Sequence, residues 1–117
     1  GLSSSIKRSE NNLEAVKLWV KNSHWIDFLC EDYDNLSSTS ICLKIKDKSF
    51  LNLSDDMQKS KIKEINTILE KENVAYDINS YRTAPPGFRI WGGSTVETSD
   101  IENLLPWLDW AYTVVNG

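Results

Sequence analysis

Two of the three arginines in this chain, Arg82 and Arg89, flank a Pro85-Pro86-Gly87 corner within the run Tyr81-Arg82-Thr83-Ala84-Pro85-Pro86-Gly87-Phe88-Arg89-Ile90-Trp91. The third is Arg8, and lysines supply the remaining positive charge. A guanidinium fork offers paired N–H donors that match a carboxylate or phosphate, so two forks around a stiff turn could recognise a planar or tetrahedral anion. Tyr81 adds a hydroxyl donor beside them. The competing use of strand-borne arginines is a pair of solvated salt bridges, which are common and contribute little.

Any anion site must be local, because the chain as a whole repels anions. Its formal net charge is −4 and its pI about 4.9, which argues against broad attraction to nucleic acid or an anionic membrane. One histidine, His24, and two cysteines without metal-ligand spacing, Cys30 and Cys42, leave no ligand set for zinc. Free thiols suit a reducing compartment, and no apolar run approaches the roughly 18 residues of a spanning helix. A cytoplasmic protein is the expectation.

The elements that would position the arginines follow from pattern. With 117 residues, 40% hydrophobic and 26% charged, the chain suits one domain with a real core. Ser9 or Asn11 can cap a helix running through Lys21, with Leu13, Val16 and Val20 on one face. Trp25, Ile26, Phe28 and Leu29 form a short apolar group, and the polar residues 31–38 read as a loop. Alternation over residues 40–46 predicts a strand with Ile41, Leu43 and Ile45 buried.

Ser54 followed by Asp55 and Asp56 starts a helix that should end near Asn73. Residues 74–81 and 88–92 read as strands joined by the proline corner, where Gly87 could supply a positive φ. On the second of these, Phe88 and Ile90 face one side while Arg89 and Trp91 face the other. Ser99 and Glu102 have capping-box spacing for a last helix, in which Pro106 predicts a kink or a restart. Trp107 and Trp110 cannot both share its apolar stripe through Leu104 and Leu108. One of them should pack on the first helix or on something outside the domain. The order helix, strand, helix, strand, strand, helix implies an α+β two-layer sandwich, with helices on one face of a small, mainly antiparallel sheet.

The run from Tyr81 to Gly93, with Ser94-Thr95-Val96-Glu97-Thr98-Ser99-Asp100-Ile101 and Pro106-Trp107-Leu108-Asp109-Trp110-Ala111-Tyr112 after it, resembles the carboxyl-terminal end of the phosphoserine aminotransferases. Val74-Ala75-Tyr76-Asp77-Ile78, Thr39-Ser40-Ile41-Cys42-Leu43-Lys44 and the opening Arg8-Ser9-Glu10-Asn11-Asn12 are similar to the same family in the same order. The resemblance implies a small domain of the aminotransferase type, in which Arg89 holds the substrate α-carboxylate and Arg82, with Tyr81, helps bind the phosphate. Tyr81 and Pro86-Gly87 stand where the commoner family pattern has a histidine and a Gly-Gly pair. Leu36 stands where many relatives carry an arginine.

The family implies further expectations about what surrounds the domain. Its cofactor is pyridoxal phosphate, held by a lysine of a large domain, and no lysine here matches that segment. The chain is therefore expected to be a fragment spanning residues 1–117 of a single small domain, catalytically inert alone. The whole enzyme would be a homodimer acting on a phosphorylated amino acid, either phosphoserine or phosphorylated hydroxythreonine. Two rivals stand beside this: the small domain of another class V aminotransferase with an unphosphorylated substrate, and a free-standing small-molecule-binding or interaction module.

Overall fold

Leu13, Val16 and Val20 recur at helical spacing and are buried, so the first helix lays one stripe on the core. In the computed structural model, which describes residues 2–32, 36–75, 78–81 and 84–117, this helix is α1 (Leu2–Lys21). It begins well before the Ser9 or Asn11 cap expected from sequence, because those residues lie inside a helix whose first turns are solvent-exposed. Trp25 to Phe28 then enters the sheet. Ile26–Phe28 forms β1, pairing antiparallel with β2 (Ser40–Ile45) in the register Ile26 to Ile45 and Phe28 to Leu43. The alternation of β2 is as expected, with Ile41, Leu43 and Ile45 buried.

A four-residue turn of helix that the sequence reading did not foresee, α2 (Lys48–Leu51), follows directly. Its N-cap is Asp47, whose side chain accepts the Ser49 N–H, and it buries Phe50. Next comes α3 (Asp55–Lys71), started by Ser54, whose hydroxyl accepts the Met57 N–H. It stops at Asn73, which takes a left-handed φ of 57°, while the Asn73 and Val74 N–H groups bond back to Glu70 and Leu69. That paired return is the Schellman arrangement, and it satisfies carbonyls the helix end would leave open.

Residues 74–81 do not form a regular strand among the described positions, and Tyr76 and Asp77 lie outside them. Asn79 makes one bridge to Phe88, and Ile78 accepts the Arg89 N–H at 3.0 Å. β3 (Gly87–Trp91) pairs antiparallel with β2, giving an open sheet of order β1-β2-β3. Gly87 does not have a positive φ. It is required by close approach instead, since a Cβ there would lie 1.9 Å from the Leu43 carbonyl oxygen.

The last helix, α4 (Thr98–Asn116), is continuous through Pro106, so neither a restart nor a separate preceding turn is seen. The Ser99 capping box does not form. Glu97 occupies the N-cap position without a side-chain bond, because Thr98 is already helical and gives its hydroxyl proton to Asn12. α4 lies between α1 and α3. The helices pack Val16, Ile65, Leu69, Ile101, Leu105 and Leu108 against Phe28, Leu43, Phe88 and Ile90. The result is the two-layer α+β sandwich, with one sheet face in the core and the other turned outward.

At the centre of the core the Trp25 ring stacks on Tyr112, with centroids 4.1 Å apart and planes 8° from parallel. Both Trp25 and Trp19 donate their indole N–H to one carboxylate, that of Asp109, at 2.7 and 2.9 Å. This satisfies both indole donors, that of the buried Trp25 and that of the half-buried Trp19, from a helix that arrives 84 residues later than Trp25. Trp107 and Trp110 lie off the buried stripe. They pack edge to face on each other, centroids 5.3 Å apart, and both remain exposed.

Candidate functional site

The period of two puts Ser40, Cys42, Arg89 and Trp91 on the outward face of the sheet, opposite the core residues Ile41, Leu43, Phe88 and Ile90. Register then decides neighbours: Ser40 lies across from Trp91, and Cys42 across from Arg89. The chain returns over this face at Tyr81. The Arg89 guanidinium carbon sits 4.6 Å from the centroid of the Tyr81 ring, a cation–π stack, and the Tyr81 hydroxyl shares a 3.3 Å hydrogen bond with Ser40. Ser40, Tyr81, Arg89 and Trp91 together line a recess of about 320 Å³.

This arrangement has an electrostatic signature. The bond to Ser40 and, next, the one to Arg89 hold the Tyr81 phenol below its ordinary value. A guanidinium carries paired N–H donors along a planar edge, which suits a carboxylate better than a point charge would. Trp91, 58% exposed, walls the same recess. The far end of β3 is fixed from α1: the buried Asn12 donates from its side-chain amide to the Gly92 and Val96 carbonyls, both at 3.0 Å.

The structure thus brings together two of the three residues expected from sequence, Tyr81 and Arg89. Arg82 lies outside the described residues. Ser40 was missed, since its place opposite Trp91 depends on a strand register that no local pattern specifies. Asn12 was missed likewise, being 80 residues from the carbonyl it holds. Among the described residues the recess supplies one guanidinium, a phenol, a hydroxyl and an indole, but no amine, so these residues do not fit the lysine attachment of pyridoxal phosphate. Among the described residues no group of three or more His, Cys, Asp or Glu could hold a metal ion. No helix among them is long and apolar enough to cross a membrane.

Fold and site define the class: a small α+β sandwich carrying an arginine-aromatic recess on the open face of an antiparallel sheet. No protein-family model matches the chain. Its sequence is 46% identical over 115 residues to phosphoserine aminotransferase of Methanosarcina barkeri and 44% identical over 115 residues to that of Methanosarcina mazei. Each match takes in 98% of this chain and 28% of the relative. The chain is homologous to a segment of phosphoserine aminotransferase, and spans just over a quarter of the length of those enzymes.

Proposed function

We propose that this chain is the substrate-anchoring small domain of a phosphoserine aminotransferase, with Arg89 as the residue that takes the α-carboxylate. The observation that carries this reading is the Arg89 fork stacked on Tyr81 in an open recess, within a sequence similar along nearly its whole length to enzymes of that name. In the whole enzyme the reaction would be amino transfer between O-phosphoserine and 2-oxoglutarate. Arg82, seven residues before Arg89, is assigned to the phosphate together with the Tyr81 hydroxyl. A large domain would supply pyridoxal phosphate, its lysine and the amine-transfer chemistry. This domain contributes binding and orientation, and as it closes on the large one it excludes water from the reacting centre. Alone, the chain is expected to be inert. The intact protein would be a cytoplasmic homodimer.

Anchoring predicts a specific kinetic loss. Arg89→Gln in an intact aminotransferase built on this segment should cost about 2 to 4 kcal/mol, roughly 30- to 900-fold in kcat/KM. An unchanged kcat/KM would remove Arg89 from the site. The phosphate assignment is tested separately by comparing phosphoserine with serine: equal kcat/KM for the two would favour an aminotransferase of unphosphorylated substrates.

A further inference from the structure

Tyr81 is the member of the Arg89 recess that the sheet does not hold. It lies outside the regular strands and is 51% exposed, so packing alone does not keep its ring over the guanidinium. The backbone before it is tied to β3 through the Asn79 bridge and the Ile78 carbonyl, and its own carbonyl accepts the Ala84 N–H at 3.0 Å. Neither tie sets where the phenol points. That falls to side-chain contacts, among them the stack on Arg89 and the 3.3 Å bond to Ser40.

Ser40 is the fixed partner of that bond. β2 is the middle strand of the sheet, and Ser40 pairs there with Trp91 while its backbone N–H donates to the Ser37 hydroxyl at 3.1 Å. Two hydroxyls that share one bond have two arrangements. If Tyr81 donates to Ser40, the phenol proton is used inside the protein. If Ser40 donates to Tyr81, the phenol keeps its own O–H for a ligand, and the bond it accepts makes that O–H a stronger donor. The second arrangement agrees with the lowered phenol, whose leading cause is the Ser40 bond, because only a donor stabilises the phenolate. It also suits the neighbouring guanidinium, which favours an electron-rich phenol oxygen.

We propose that Ser40 is a positioning residue for the substrate: it donates its proton to the Tyr81 oxygen, holds that ring on Arg89 and turns the phenol O–H toward an anion in the recess. This rests on the Tyr81 hydroxyl meeting the substrate phosphate. Ser40 acts through Tyr81 and does not touch the substrate. A threonine, which keeps the hydroxyl, can take its place, whereas an alanine cannot.

The test has two arms. In this chain, the alkaline absorbance titration of the phenols, taken as the difference from Tyr81→Phe, isolates the Tyr81 step. Ser40→Ala should raise its midpoint and Ser40→Thr should leave it unchanged. In an intact aminotransferase built on this segment, Ser40→Ala should raise KM for O-phosphoserine about three- to tenfold with kcat within about twofold. Ser40→Thr should restore KM, and Ser40→Ala added to Tyr81→Phe should cause no further loss. An unchanged phenol midpoint or an unchanged KM would overturn the inference. So would the same loss in the Tyr81→Phe background, since Ser40 would then act without Tyr81. Arg89→Gln keeps the two readings apart. If it lowers kcat/KM while Ser40→Ala changes nothing, only the role of Ser40 falls; if it changes nothing, anchoring at this recess falls and the role of Ser40 with it.

Discussion

Asp47 uses both carboxylate oxygens on groups from different parts of the chain. One accepts the Ser49 N–H at 3.1 Å and caps α2, and the other accepts the Tyr112 hydroxyl at 2.7 Å from the end of α4. The Tyr112 bond, ahead of the Ser49 bonds, holds the Asp47 carboxyl below its ordinary 3.8. Burial and then that same bond push the Tyr112 phenol far above 10. The signs give two edges. A depressed carboxyl contributes stability above its unfolded value, about pH 4, and that contribution is lost as pH falls through the folded value. A raised phenol contributes below about pH 10 and loses its contribution as pH climbs further. Thermal melts of Tyr112→Phe, which keeps the ring on Trp25, should therefore show a weaker pH dependence on both flanks while the Tm at pH 7 drops. Retention of the wild-type acid slope would disprove the pairing. Pairs of this kind were not legible in the sequence. Asp47 and Tyr112 are 65 residues apart, and Asp109 reads as an ordinary polar helix residue until Trp19 and Trp25 arrive on it. Arg89 and Trp91 were legible because strand alternation alone separates them from Phe88 and Ile90.

Among the elements, legibility tracks how local the deciding interaction is. α3 was readable at both ends: Ser54 caps from within three residues, and Asn73 stops the helix through its own backbone. α4 was read with the wrong start, because the Thr98 hydroxyl is drawn to Asn12 on α1 and the helix begins one residue before the apparent capping box. Residues 74–81 alternate like a strand, yet among the described residues their link to β3 is a single bridge at Asn79 beside the Ile78 bond. Helix α4 also holds a testable cost. Pro106 has no N–H to give the carbonyl of Glu102, one turn earlier, and its exposed ring gains nothing from burial. Pro106→Ala should stabilise the domain by about 1 to 3 kcal/mol in urea unfolding, the usual penalty of an interior helix proline less what the fold already accommodates. A loss of stability would mean that the proline itself helps to seat α4 between α1 and α3.

For the molecule as a whole, every helix and strand contributes to one buried cluster, from Leu13 on α1 to Tyr112 on α4. The same bonds that hide from sequence inspection tie its distant parts together: Asn12 to the Gly92 turn, Asp109 to two tryptophans, Asp47 to Tyr112. Such cross-linking predicts all-or-none unfolding, so far-ultraviolet and near-ultraviolet circular dichroism should give one coincident urea midpoint. Separated midpoints would show that α1 or α4 leaves first. The tryptophans carry a last consequence. Trp25 is 1% exposed and Trp19 half-buried, both bonded to Asp109, whereas Trp91, Trp107 and Trp110 face outward. Intrinsic fluorescence from the folded domain should therefore be broad and red-shifted toward that of a solvated indole. Its red component should respond to quenchers such as iodide while its blue component does not, and only Trp91 would sense the arrival of an anion at Arg89.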